Sequence, residues 1–89
     1  MFKEAKKLLD QYSPGWAHRV NLRTLDMSAC EKCILGQLFN GFANGTYILN
    51  ISNRVQDYRF DRTEYWTYPR LTSSWSRFIK SVRRGGRIG

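Results

Sequence analysis

The sequence predicts a small, mainly α-helical single domain of three to four helices, and three observations carry that expectation. Phe2, Ala5, Leu8, Leu9 and Tyr12 recur at helical spacing near one end, and Leu71, Trp75, Phe78, Ile79 and Val82 do so near the other. The turn-forming residues Ser13-Pro14-Gly15, Asn40-Gly41 and Asn44-Gly45 fall between apolar runs. At 89 residues the chain can build one modest core, and three Trp, five Tyr and five Phe help to close it because each ring removes a large area from water. An α+β fold with one short strand or hairpin is the alternative, since His18 to Leu25 alternates weakly in polarity.

The first helix runs from about Phe2 to Tyr12 and stops at Pro14, which lacks an amide proton and biases Ser13 away from helix. Trp16 follows as an anchor, and His18 to Leu25 reads as a strand or an extended connector with Val20, Leu22 and Leu25 inward. Ser28 and Glu31 have the spacing of a capping box, which predicts a second helix from about Ala29 to Phe39 with Cys30, Cys33, Ile34, Gln37 and Leu38 on its inward stripe and Leu35 and Phe39 widening it. Gly36 lowers helix propensity there by about 1 kcal/mol relative to Ala, which close packing against a neighbour would explain. The two Asn-Gly pairs predict a reversal between Leu38 and Thr46, and Ser52 is placed to cap a brief helix containing Val55 and Tyr58. Tyr65 to Arg70 reads as an aromatic, extended connector because Pro69 disfavours a helical Tyr68. The last helix is expected from Thr72 or Ser73 to Arg84, where Gly85-Gly86 ends it. Residues 1–84 thus form one helical domain and residues 85–89 a basic, flexible tail.

Charge is unevenly placed. The formal net charge is +8, and Arg70, Arg77, Lys80, Arg83, Arg84 and Arg87 supply six cations in the last twenty residues, where no acidic residue occurs. A merely solvated helix face mixes signs, and like charges at i, i+3 and i+7 repel by a few tenths of a kcal/mol per pair, which an anionic partner would relieve. Serines 73, 74, 76 and 81 and Thr72 add hydroxyl donors, and Tyr65, Trp66 and Tyr68 beside Arg70 read first as core rings, with stacking on unpaired bases as the alternative and at least one of the three exposed. Asp57, Asp61 and Glu64, interleaved with Arg54, Arg59 and Arg62, read as a mutually paired, solvated surface.

No catalytic constellation is evident. His18 is the sole histidine and has no paired partner in sequence, which argues against an enzyme and against acid/base chemistry near neutral pH. Cys30 and Cys33 form a single CxxC, for which core packing outweighs thiol-redox work or a zinc site completed by His18 and a carboxylate. No cofactor is implied. No apolar run reaches the roughly 18 residues of a membrane span, and the N-terminal stretch lacks the pattern of a secretory signal, so a cytoplasmic protein without a membrane partner is expected. Thirteen aromatic residues in so short a chain can leave an apolar patch unburied, which keeps a homodimer open.

Pro14-Gly15-Trp16, Leu25-Asp26-Met27-Ser28, Cys30-Glu31-Lys32-Cys33-Ile34-Leu35-Gly36-Gln37-Leu38 and Leu71-Thr72-Ser73-Ser74-Trp75 with Ile79 together resemble a family of small proteins encoded by phages and prophages, especially of actinobacterial hosts. The resemblance spans most of the chain and implies an accessory factor, acting in the host cytoplasm, that binds a host enzyme, a defence complex or DNA. It carries over no catalytic residue. Two functional expectations result: a non-enzymatic protein binding DNA, RNA or a host nucleoprotein through Arg70, Arg77, Lys80, Arg83, Arg84 and Arg87, with Trp66 and Tyr68 beside them; or an inhibitor of a host protein or defence enzyme, of the anti-CRISPR type, acting through an aromatic patch with a basic rim. A thiol-redox or zinc protein built on Cys30 and Cys33 is the third.

Overall fold

A computed structural model describes residues 2–85. Five helices follow one another: α1 (Lys3–Tyr12), α2 (Trp16–Arg19), α3 (Ile34–Phe39), α4 (Phe42–Leu49) and α5 (Tyr68–Arg83). No strand occurs among the described residues, so the mainly α expectation holds; His18 and Arg19 belong to α2, and the rest of the segment to Leu25 is turns and loop. Its radius of gyration of 11.8 Å is close to the ~12 Å that compact packing gives for this length.

Trp75 is the centre of the core. Its ring stacks parallel on Phe60 at 5.6 Å, meets Trp16 edge-on at 6.1 Å and lies 4.6 Å from Phe2, while its indole N–H donates to the Arg59 carbonyl at 2.7 Å. One α5 side chain therefore gathers the start of the chain, α2 and the long α4–α5 connector. Leu71 and Ile79, one turn away on either side, are also fully buried, as the apolar periodicity of the last helix requires. Among the described residues, no helix is long and apolar enough to cross a membrane.

α1 ends as its sequence dictates. Gly15 takes φ +79°, a left-handed conformation that favours glycine, and the chain turns directly into α2, where Trp16 is buried. Asp10 bridges the turn, accepting from the Trp16 indole at 2.9 Å and from Lys6 Nζ at 2.7 Å.

The predicted helix over Ala29 to Phe39 is shorter than its periodicity suggests. Asp26 Oδ1 accepts from both the Ser28 amide and its hydroxyl, which closes a local turn in place of a capping box. The chain through Cys30 and Glu31 then crosses Gly36, where a Cβ would collide with the Cys30 carbonyl oxygen, and Phe42 N–H takes that same carbonyl at 3.0 Å. Helix begins only at Ile34, with Cys33 as N-cap and its sulfur accepting from the Gly36 amide at 3.3 Å. Gln37 holds the loop against α3 by bonding both main-chain groups of Asn21 and the Lys32 carbonyl.

Asn40 at φ 68° and Gly41 at φ 131° make the sharp corner between α3 and α4. The second Asn-Gly pair is helical, contrary to its turn signature: Asn44 Nδ2 donates to the Phe39 carbonyl at 2.7 Å, and Gly45 is packed so closely on Leu35 that a Cβ would lie 2.8 Å from the leucine's own. Close helix packing claims the glycine that the local sequence assigns to a turn. The segment after Ser52 forms successive turns and no brief helix, because Arg59 at φ 62° swings Phe60 beneath Trp75. α5 in turn begins at Tyr68, four or five residues before the expected Thr72 or Ser73. Thr67 is its extended N-cap and Pro69 sits in the first turn, where the missing amide proton costs no intrahelical bond.

Candidate polyanion-binding surface

The early start of α5 shapes the basic surface. Arg70, Arg77, Lys80 and Arg84 are all exposed and follow at intervals of seven, three and four residues, so they form one stripe opposite Leu71, Trp75 and Ile79. At 1.5 Å per residue the stripe is about 21 Å long. No acidic side chain pairs with it. The single ion pair among the described residues is Lys6 with Asp10, on α1.

At the N-terminal end of the stripe lies an open groove of about 470 Å³. Tyr65 and Trp66 form one side, and Arg70, Ser73, Ser74 and Arg77 the other, with Thr67 and Pro69 where the connector enters the helix. Tyr65 and Trp66 meet edge to face at 5.2 Å. Trp66 is partly buried against Phe2, whereas Tyr65 remains 63% exposed. The Arg70 guanidinium lies 4.7 Å from the Tyr65 ring centre, and Arg59 lies 5.2 Å from that of Trp66. Each ring thus has a guanidinium beside it, attracted through the ring quadrupole, Arg70 within the groove and Arg59 outside its lining.

The same pairing governs the connector. Arg54 sits over Tyr58 at 5.6 Å and Arg62 over Tyr68 at 5.9 Å, and none of Arg54, Arg59 and Arg62 forms an ion pair with Asp57, Asp61 or Glu64. The mutually paired acidic and basic surface expected there is replaced by arginine–aromatic contacts. Asp61 is used otherwise, accepting the Tyr68 hydroxyl at 2.9 Å and capping the Arg62 amide at 2.8 Å. That bond, with some burial, raises the Tyr68 phenol above its ordinary range.

Of the expected site residues, Arg70, Arg77 and Trp66 line the groove, and Lys80 and Arg84 extend the stripe beyond it. Tyr68 points to Asp61 on another side and is removed from the site. Arg83 is also removed: it turns towards α2, donating from Nε to the Ala17 carbonyl at 2.7 Å and from Nη2 to the Val20 carbonyl. Thr72 is structural as well, its hydroxyl accepting the Met27 amide at 2.9 Å. Arg87 and most of the expected tail lie outside the described residues. Tyr65, read in the sequence with Trp66 and Tyr68 as a ring able to stack beside Arg70, lines the groove and lies against the Arg70 guanidinium.

Cys30 and Cys33 are not on one apolar stripe. Both are free thiols; Cys30 is exposed and Cys33 is buried. Burial raises the Cys33 thiol above the usual range, against the smaller opposing effect of the Gly36 amide. His18 is exposed on α2, and among the described residues no three His, Cys, Asp or Glu side chains gather as a metal would require. A second recess, of about 170 Å³, lies between Cys30, Cys33, Phe42, Phe60 and the Asp61–Tyr68 pair, smaller than the roughly 300 Å³ at which small-molecule sites begin.

Compared with protein-family models, with curated proteins and with solved structures, the chain finds no match.

Proposed function

We propose that this protein is a non-enzymatic accessory factor that binds a polyanion, a nucleic acid or a nucleoprotein, through the exposed stripe of α5. The supporting observation is that Arg70, Arg77, Lys80 and Arg84 share one face and form no ion pair among the described residues, beside a groove whose hydroxyls and rings can meet a phosphate backbone. The phage origin implied by the sequence resemblance belongs to the same proposal and makes the host cytoplasm its place of action. Neutralising four phosphates releases about four counterions' worth of binding free energy, which sets a slope of log affinity against log salt of about −3. Titration of labelled oligonucleotides across a salt series measures it. A flat dependence, or no binding at about 50 mM salt, overturns the proposal.

A second reading rests on a different surface. Residues 33–53 contain no charged side chain, and within them Tyr47 is 81% and Ile48 42% exposed on α4. Such an uncharged aromatic face in a chain of net charge +8 suits a protein target, the inhibitor alternative. It differs from the Trp66 and Tyr68 patch expected from sequence. A pull-down from host lysate with and without nuclease separates the two readings: a single partner that survives nuclease and is lost in Tyr47→Ala supports the protein target, and capture that vanishes with nuclease supports the nucleic acid.

A further inference from the structure

We infer that the groove at the start of α5 selects unpaired over duplex nucleic acid, with a base stacked on Tyr65 and the adjoining backbone led along Arg70 and Arg77. This deepens the polyanion reading and rests on it. A basic stripe by itself has no preference for strandedness, since both forms present phosphates. What adds a preference is the ring at its end. Tyr65 is the one aromatic side chain of the groove that stays mostly in water, while its neighbour Trp66 is held against Phe2.

Two contacts hold Tyr65 in place: the guanidinium of Arg70 at 4.7 Å and the edge contact to Trp66 at 5.2 Å. A positioned ring offers stacking area without the entropic cost of ordering it on binding. Arg70 then serves twice, as the cation beside the ring and as a planar group on which a base can also lie. Duplex bases are hidden in the stack and cannot reach either surface, whereas every unpaired base has a face to offer, so the preference is for strandedness and not for sequence. Ser73, Ser74 and Arg77 continue the groove on the α5 side, one to two turns further along. Their hydroxyls and guanidinium can take the phosphate that follows a stacked base. Both single-stranded DNA and RNA carry this chemistry.

The test compares four probes of equal length with the full chain at fixed salt: oligo(dT), oligo(U), an abasic deoxy strand with the same phosphates, and a mixed-sequence duplex. Binding is read by anisotropy and by tryptophan emission, because Trp66 adjoins the stacked ring. Oligo(dT) or oligo(U) should bind roughly 5- to 100-fold more tightly than the abasic strand and quench the emission, and in Tyr65→Ala the ratio of the two affinities should fall to about one. A larger gain for oligo(U) than for oligo(dT) assigns the natural strand as RNA, and the reverse as DNA. Equal affinity for all four probes overturns the stacking inference and leaves the polyanion reading standing. No binding to any of them overturns both and turns attention to an acidic protein. Tyr65 is mostly exposed and lies outside the buried core, so its replacement leaves the fold available for the comparison.

Discussion

Arg83 closes the end of α2 by donating Nε–H to the carbonyl oxygen of Ala17 at 2.7 Å, across 66 residues of chain. The same guanidinium reaches the Val20 carbonyl, so one side chain satisfies two acceptors that α2, only four residues long, leaves unpaired at its C-terminus. The contact anchors α5 to α2 independently of the aromatic core. Arg83→Ala should therefore lower stability by about 2 kcal/mol, roughly 10 °C in Tm for a chain of this size, because two acceptors lose a charged donor. Arg84→Ala, one residue on and exposed, should stay within about 0.5 kcal/mol of wild type. Thermal unfolding of the two variants checks the assignment. Equal melting temperatures would return Arg83 to the surface stripe.

The complementary prediction concerns binding. Arg77, Lys80 and Arg84 each offer one positive charge to the same anionic ligand, so each alanine variant should reduce the salt slope by about 1 and weaken all sequences uniformly. Arg23→Ala is the control, since Arg23 lies exposed on the α2–α3 loop and shares no surface element with the stripe. If Arg23→Ala weakens oligonucleotide binding as much as Arg77→Ala, the interaction follows net charge and not the α5 face.

α1 and α5 were legible because each carries a complete apolar stripe whose period survives local noise. The middle of the chain was not, for two physical reasons. Gly45 serves close packing on Leu35, and nothing in a local window distinguishes that use from a turn; the close approach expected at Gly36 is present, but it is made by the backbone through Cys30 and Glu31, which cuts the helix short. Asp26 and Ser28 are good caps, but the hydrogen bonds they make close a turn before the helix and do not begin it. The site was legible in part. Single-sign charge located the α5 stripe, since charge survives in sequence whatever the fold does. The loss of Arg83 to α2 and of Tyr68 to Asp61 depends on partners 66 and seven residues away, which the pattern on α5 does not encode. One signal was misread: Thr67 followed by Pro69 is a helix start, and reading it so would have begun α5 at Tyr68.

Gly36 offers a test of why the second helix is short. On propensity alone, Gly36→Ala should stabilise α3 by up to about 1 kcal/mol. The structure predicts the opposite sign, because the new methyl meets the Cys30 carbonyl and the Glu31 Cα, which are main chain and cannot rotate away. A net loss of about 1 to 3 kcal/mol is expected, measured by urea unfolding. A stabilised Gly36→Ala would mean that the chain through Cys30 does not cross α3.

The two cysteines should differ in reactivity as sharply as they differ in burial. In native protein a thiol reagent should titrate Cys30 at once and Cys33 only after unfolding, since Cys33 is buried and its sulfur already accepts the Gly36 amide. The raised Cys33 thiol also makes a pH prediction. Below the ordinary thiol pKa of about 8.5 both folded and unfolded chains keep this proton, and the contribution to stability is fully present. As pH rises past that value the unfolded chain loses its proton first, so the folded state binds more protons and stability falls until the raised native value is passed. Cys33→Ser retains an N-cap acceptor without a titrating group, and its stability should decline less than that of wild type between pH 7.5 and 9.5, by roughly the proton-linkage difference of this one site. Parallel curves for the two proteins, together with two thiols titrating at once in the native state, would place Cys33 in water and reopen a redox role for the pair.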